Sequence, residues 1–65
     1  MVVENLNYDI NWRNFKRGYS VFVPCLDPHK ALKNDVLPFF KRIKMKVVTK
    51  VSIEEGVRGL RIWRV

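Results

Sequence analysis

The sequence predicts a small α+β domain, in which a three-stranded, mainly antiparallel sheet carries one kinked helix on one face. Three observations support this fold class: an apolar, β-branched run over residues 19–25, a helical apolar pattern over residues 28–44, and an alternating hairpin over residues 46–65. A chain of 65 residues holds a single domain. We therefore expect a β-α-β-β unit over residues 18–65, preceded by an N-terminal segment over residues 1–17.

The N-terminal segment alternates polar and apolar residues from Asn5 to Trp12, which is the pattern of a strand. Asn and Asp are poor strand formers, so an extended arm across the domain or across a partner subunit is the alternative. The following stretch is compatible with one helical turn, with Asn11 as N-cap and Gly18 as the stop, or with an irregular connection.

The first clear strand is predicted from Tyr19 to Cys25, where β-branched and aromatic residues follow one another. Such a run indicates burial on both faces, and hence a central strand. Pro24 lacks a backbone N–H, so we expect it at the end of the strand or on an edge.

The helix is predicted to begin with Asp27 as N-cap and Pro28 at the first helical position. Apolar residues at spacings of three and four then form one core-facing stripe: Leu32, Val36, Phe39, Phe40 and Ile43. Pro38 removes one helical hydrogen bond and clashes with the preceding turn. We therefore expect a kinked helix that ends near Lys44.

The C-terminal hairpin starts with an alternating strand from Lys46 to Ile53. One of its faces carries Val47, Thr49, Val51 and Ile53, and the other carries Lys46, Val48, Lys50 and Ser52. Glu54-Glu55-Gly56 forms the loop, with Gly56 at a position of positive φ, and Val57–Val65 is the returning strand.

The charge indicates what kind of partner the domain binds. Thirteen Lys and Arg against six Asp and Glu give a net charge of +7, which favours attraction to polyanions. Nucleic acid, DNA or RNA, is the first expectation, and an acidic host protein surface is the second.

No signal peptide and no membrane-spanning run is found, and the one cysteine fits a reducing compartment, so we predict a cytoplasmic protein without a membrane partner. A homodimer is a further expectation, because small domains often gain stability by oligomerising.

The candidate nucleic-acid-binding residues are clustered in the sequence. On the helix, Lys30, Lys33, Lys41 and Lys44 form one stripe beside the apolar face. The hairpin adds Lys46, Lys50, Arg58, Arg61 and Arg64. A continuous positive surface of this kind is expected for phosphate contacts, whereas the alternative is a solvated face that only confers solubility.

Trp63 has two interpretations. If Leu60 and Ile62 face the helix, Arg61 and Trp63 point to the opposite face, where an aromatic among basic residues can stack on unpaired bases. Otherwise Trp63 faces inward as a core anchor, and burial statistics favour that interpretation. Burial in a dimer interface is a third alternative.

No catalytic, metal or cofactor site is predicted. Cys25, Asp27 and His29 alternate around the helix start without a second ligand cluster or a base-orienting partner. Glu54 and Glu55 belong to a turn, and the glycines match no phosphate-binding loop. The sequence therefore predicts a binding protein, not an enzyme.

Two short motifs carry a resemblance to a known group of proteins: Tyr19-Ser20-Val21-Phe22-Val23-Pro24 and the closing Gly56-Val57-Arg58-Gly59-Leu60-Arg61-Ile62-Trp63-Arg64-Val65. The chain resembles small, basic bacteriophage proteins of unknown function, which share an "FFVP"-like strand end, a basic helix and a "GVRVWR"-like end. Pro38 and the inserted Gly59-Leu60 depart from that pattern. The resemblance covers residues 18–65 and implies a viral origin, a host-cytoplasmic location and a β-α-β-β fold, but no activity.

Two functions follow as hypotheses. The first is a nucleic-acid-binding protein with little sequence specificity. The second is a phage protein-interaction module that binds a host polymerase, nuclease or defence complex through its N-terminal arm and through Tyr8, Trp12 and Trp63.

Overall fold

A computed structural model describes all 65 residues and confirms a small α+β fold. Two short strands, β1 (Val2–Val3) and β2 (Leu6–Asn7), form an N-terminal hairpin, followed by a 3-10 turn over Trp12–Asn14. The main sheet contains β3 (Ser20–Pro24), β4 (Val47–Glu54) and β5 (Val57–Arg64), in the antiparallel order β3-β5-β4. One helix, α1 (residues 28–42), follows β3 in the chain, precedes β4 and lies on one face of this sheet. None of the helical segments has the length and hydrophobicity of a membrane span.

The central strand is β5, so the prediction of a central strand over residues 19–25 is wrong. In the register of the sheet, Leu60 lies between Val23 and Val51, and Ile62 lies between Val21 and Thr49. Leu60 and Ile62 are fully buried, which gives β5 the core positions. The strand β3 is an edge, and Pro24 ends it as predicted.

Helix α1 begins as predicted, because the Asp27 side chain accepts a hydrogen bond of 3.2 Å from the Lys30 N–H and Pro28 occupies the first turn. The helix consists of an α-helical turn over Pro28–Ala31, a π-helical segment over Leu32–Val36 and a second α-helical part over Leu37–Arg42. It ends two residues before the predicted Lys44, which adopts a left-handed φ of 56° and reverses the chain.

A π-helical turn lies next to Pro38, where the sequence predicts a kink. The Leu37 N–H donates to the Leu32 carbonyl, five residues back, in the turn that precedes the proline. The wider turn gives room to the proline ring, which would otherwise meet the carbonyl of Asn34. It also matches the five-residue interval between the buried Ala31 and Val36. Ala31 therefore joins the core, whereas Ile43, predicted to lie in the core stripe, is 38% exposed.

The core lies between the sheet, the helix and the N-terminal segment. Its buried residues are Val3, Phe15, Val23, Cys25, Ala31, Val36, Phe40, Leu60 and Ile62. Trp12 packs against this cluster, with ring centroids 5.5, 5.3 and 5.1 Å from those of Phe15, Phe39 and Phe40. Tyr8 also packs on the core, and its hydroxyl donates a 2.9 Å hydrogen bond to the Pro24 carbonyl. Trp12 and Tyr8 therefore contact other parts of the domain, which reduces the side-chain surface that they expose to a partner.

The N-terminal segment forms a hairpin, and of the strand predicted from Asn5 to Trp12 only Leu6–Asn7 is present, as β2. Glu4 and Asn5 have φ values of 50° and 66°, which are those of a two-residue turn between β1 and β2. Asn tolerates this left-handed conformation, so a turn fits at Asn5, where the polar and apolar alternation begins. The predicted helical turn is present: the Asn11 side chain accepts from the Arg13 N–H at 3.2 Å, and Gly18 follows in a separate turn with a φ of 86°.

Glu4 fastens the N-terminal hairpin to the start of the helix. Its two carboxylate oxygens accept hydrogen bonds from the backbone N–H groups of Leu26 and Asp27, at 2.6 and 2.8 Å. Its own backbone N–H donates to the Asp35 carboxylate at 3.2 Å. These contacts orient Val3, the neighbouring residue, into the core.

We expect the substitution Glu4→Gln to lower the free energy of unfolding by about 1–2 kcal/mol, because an amide has one accepting oxygen where the carboxylate has two. Urea denaturation measures the change. Glu55→Gln is a matched control, since Glu55 occupies the equivalent turn position with a φ of 52° and its side chain makes no hydrogen bond. Equal stability of the two variants would contradict the role of Glu4.

Candidate nucleic-acid interface

One face of the main sheet is left uncovered by the rest of the chain. Side chains alternate along β5, so that Leu60 and Ile62 point to the helix and Arg61 and Trp63 point away from it. The helix and the N-terminal segment both pack on the core side. We call the opposite surface the open face, and its two central rows across the strands are Ser20-Trp63-Val48 and Phe22-Arg61-Lys50.

Trp63 lies at the centre of the first row of the open face. It is half-buried by its sheet neighbours and takes no part in the core cluster. The interpretation of Trp63 as a core anchor is therefore wrong. Its neighbour Val48 is 53% exposed, so the row presents an apolar surface to solvent.

Arg61 is held in place by three neighbours. Its Nε donates to the Glu54 carboxylate at 2.9 Å, its Nη2 forms an ion pair with the same carboxylate, and its Nη1 donates to the Ser20 hydroxyl at 3.2 Å. Its guanidinium also lies over the Phe22 ring, 5.6 Å from the centroid. Arg61 was predicted as a phosphate contact, but in this structure its charge is already paired with Glu54.

The pair with Arg61 makes the fold sensitive to acid. The hydrogen bond from Arg61 lowers the pKa of Glu54 below its ordinary value of 4.5. Since the folded-state pKa is depressed, the stabilisation is fully present above about pH 4.5 and is lost as pH falls through the lowered pKa. We expect NMR titration to find this depressed pKa in the wild type and a higher pKa of Glu54 in Arg61→Gln, because the hydrogen bond and charge of Arg61 are lost. An unshifted wild-type pKa would contradict the pairing.

Lys46 and Lys50 are the cations of the open face that form no ion pair. Lys50 lies directly across from Arg61, and Lys46, which precedes β4, alternates to the same side as Val48. Both side chains are exposed. They lie beside the row of Trp63 and can reach phosphates of a strand that crosses it.

The remaining predicted basic residues lie on the other layer of the domain. Exposed lysines follow the helix at Lys30, Lys33, Lys41 and Lys44. Arg58 and Arg64 pair with Ile53 and Val47, which puts them on the helix side of the sheet. The predicted continuous positive surface is therefore divided between two opposite sides. Alternation along β5 predicts part of this division, because Arg58 and Arg64 have the parity of Leu60 whereas Arg61 does not.

Arg64 has a structural contact of its own. Its Nη1 donates at 2.8 Å to the carbonyl of Phe15, which ties the segment after the 3-10 turn to the sheet. Arg58 is exposed and makes no ion pair.

Cys25, Asp27 and His29 do not form a reactive group. Cys25 is buried, and burial raises the pKa of its thiol, with the Glu4 charge adding to the effect. Asp27 caps the helix, and His29 is exposed on its first turn. No three His, Cys, Asp or Glu side chains come together in a way that could hold a metal ion.

A groove of about 600 Å³ lies at one end of the molecule, between the N-terminal hairpin and the tip of the β4–β5 hairpin. Four exposed apolar residues line it: Leu6, Leu26, Ile53 and Val57, with exposed fractions of 61%, 90%, 66% and 45%. Arg58 adds a positive charge to this groove.

The open face includes residues that the sequence analysis did not single out. Phe22, Ser20 and Glu54 all belong to it. The alternation of Val21, Phe22 and Val23 would have revealed Phe22, because the two valines face the core. Scans against protein-family models, curated proteins and solved structures find no match to this chain.

Proposed function

We propose that the protein binds single-stranded nucleic acid on the open face, with little sequence specificity. The observation that carries this proposal is the position of Trp63, on an uncovered sheet face and between the unpaired cations Lys46 and Lys50 and the aromatic Phe22. A flat aromatic ring on a sheet offers a surface on which an unpaired base can stack.

The chemistry of the face favours a single strand over a duplex. In a duplex the bases are already stacked on one another, so Trp63 could contact only their edges or the backbone. An unpaired base leaves both its π-faces free, and stacking on a tryptophan is tolerant of base identity. The hydrogen-bonding groups of Arg61, Glu54 and Ser20 are already bonded to one another, so the open face has few groups left to bond to base edges. We therefore expect a weak preference for particular bases.

Phosphates of the bound strand would be neutralised by Lys46 and Lys50. Two or three phosphate contacts predict a fall in affinity of about tenfold as salt rises from about 50 to 200 mM. Fluorescence anisotropy of labelled single-stranded DNA, single-stranded RNA and duplex DNA, each at both salt concentrations, tests the proposal. Absence of saturable binding at the lower salt concentration would overturn it.

A matched pair of double variants tests where the strand lies. Lys46→Gln with Lys50→Gln removes two charges from the open face, and Lys33→Gln with Lys41→Gln removes two from the helix. We expect the first to reduce both affinity and its dependence on salt, and the second to change affinity by less than about threefold. The reverse result would move the interface to the helix.

The second candidate is a protein-interaction module, and the end groove is the observation that favours it. Leu26 projects from a loop with 90% of its surface exposed, and Arg58 supplies a charge beside it. This combination suits an acidic segment of a partner that also carries apolar side chains. The resemblance to small phage proteins supports this candidate, because such proteins commonly act by binding host machinery.

The two candidates differ in salt dependence and in the variants that abolish them. The interaction module would be supported by a complex with one defined host protein whose affinity does not fall with salt. That complex should be lost in Leu26→Asp and retained in Lys50→Gln. Loss in Lys50→Gln alone would favour the open face.

A further inference from the structure

We propose that the free edge of β4 pairs with the same edge of a second copy of this chain, forming a symmetric dimer with a continuous six-stranded sheet. The sheet order β3-β5-β4 leaves β4 with a neighbour on one side only. The proposal does not depend on nucleic-acid binding, because it rests on the backbone and side chains of this edge.

The unpaired backbone groups of β4 can be assigned from its register with β5. The Val65 N–H donates to the Lys46 carbonyl at 3.2 Å, so Lys46 points its backbone toward β5. Because hydrogen bonding alternates along an antiparallel strand, the groups that point away from β5 belong to Val47, Thr49, Val51 and Ile53. A row of four N–H and four C=O groups is thus available to another strand.

Apart from Lys50 and the terminal Glu54, this edge lacks the features by which proteins protect exposed strands. The strand β4 is eight residues long, its register with β5 has no bulge, and it contains no proline. Val48, Val51 and Ile53 expose 53%, 37% and 66% of their surface. Lys50 is the one cation within it.

The opposite edge of the sheet is protected. The strand β3 has five residues, and Pro24 ends it. The backbones of Tyr19 and Cys25 hydrogen-bond to β5, so by alternation Pro24 stands where an N–H would otherwise point to solvent. Pairing through β4 therefore leaves only protected edges outside, which limits assembly to a closed pair.

The sequence of β4 is complementary to itself in one register. A symmetric pairing of two β4 strands that keeps both open faces on the same side of the sheet can have its two-fold axis at Lys50, Val51 or Ser52. An axis at Lys50 places the two Lys50 side chains opposite each other, and an axis at Ser52 leaves fewer residues of the two strands paired. With Val51 on the axis, Thr49 lies opposite the partner's Ile53, and Lys50 lies diagonal to the partner's Glu54.

Sedimentation velocity of the full chain without nucleic acid, from about 5 to 200 µM, tests the proposal. We expect the average mass to rise from 7.8 kDa toward twice that value. Val51→Pro removes an N–H that β5 does not use, so the variant should remain folded by circular dichroism and dimerise about tenfold more weakly or worse. If Val51→Pro does not fold, Val51→Lys places like charges on the axis and should weaken the dimer in the same direction.

Val48→Lys is the matched control, because it adds the same charge to the same strand at a position that faces the partner's Glu54. It should leave the dimer intact. A wild-type chain that stays monomeric over the whole range would overturn the proposal, and so would a dimer that withstands both Val51 variants. Equal loss of the dimer in Val51→Lys and Val48→Lys would overturn the register.

Discussion

Replacing Trp63 with alanine is expected to weaken the binding of single-stranded nucleic acid about ten- to a hundredfold. The magnitude follows from the free energy that stacking of one base on an aromatic side chain contributes. The side chain lies outside the core cluster, so the domain should still fold, with a loss in the free energy of unfolding of no more than about 1–2 kcal/mol. Fluorescence anisotropy measures the first quantity and urea denaturation the second.

The two tryptophans provide an internal control for this prediction. Trp12 is packed between Phe15 and Phe39 in the core, whereas Trp63 is on the open face. In Trp12→Phe, the remaining indole of Trp63 should be quenched by single-stranded nucleic acid. In Trp63→Phe, the indole of Trp12 should be insensitive to it. Quenching of Trp12 alone, or full affinity in Trp63→Ala, would contradict the assignment of the open face.

The elements that were predicted correctly depend on local chemistry. The hairpin of β4 and β5 follows from the alternation along β4 and from Gly56, which adopts a φ of 79°. Its loop is Glu55-Gly56 and not the predicted Glu54-Glu55-Gly56, because Glu54 pairs with Val57. The helix start follows from Asp27 and Pro28, whose capping contacts involve only the next three residues. Such signals lie within a few positions of each other, so the sequence alone can identify them.

The elements that were mispredicted depend on long-range packing. Sheet order is one: β3 is apolar on both faces because Phe22 lies on the open face, not because the strand is central. The π-helical segment is another, since it serves to bring Ala31 and Val36 to the same core. Neither arrangement follows from a local pattern, because each depends on contacts between distant parts of the chain.

For the candidate site, the sequence could predict which residues share a face of the sheet but not which face is uncovered. Alternation requires Trp63 to lie on the other face of the sheet from Leu60 and Ile62, but the sequence does not tell which of the two faces the helix covers. Burial statistics favoured a core tryptophan, and the aromatic cluster around Trp12 filled that role instead. The ion pair that occupies Arg61 joins residues seven positions apart across a hairpin and was also missed.

The substitution Gly59→Ala should destabilise the fold by about 3 kcal/mol or more, which is comparable to the whole stability of a domain this small. A Cβ atom at position 59 would lie 2.3 Å from the Val23 carbonyl oxygen and 2.8 Å from the Pro24 Cα. Both are backbone atoms of β3 and cannot rotate away. The Phe22 ring, 2.8 Å from the same point, closes the remaining space. We therefore expect β3 to be forced from β5, with a large drop in the thermal midpoint measured by circular dichroism.

Gly56→Ala separates this steric effect from backbone strain. Gly56 has a φ of 79°, and no atom lies within 4 Å of the position that an alanine Cβ would take, so alanine there costs only the left-handed conformation, about 1–2 kcal/mol. Gly59 has no positive φ, and its requirement is space alone. Equal stability of the two variants would mean that β3 does not lie against Gly59. The contact matters for the site as well, because the absence of a side chain at Gly59 leaves room for the Phe22 ring on the open face, where the Arg61 guanidinium lies 5.6 Å from the ring centroid.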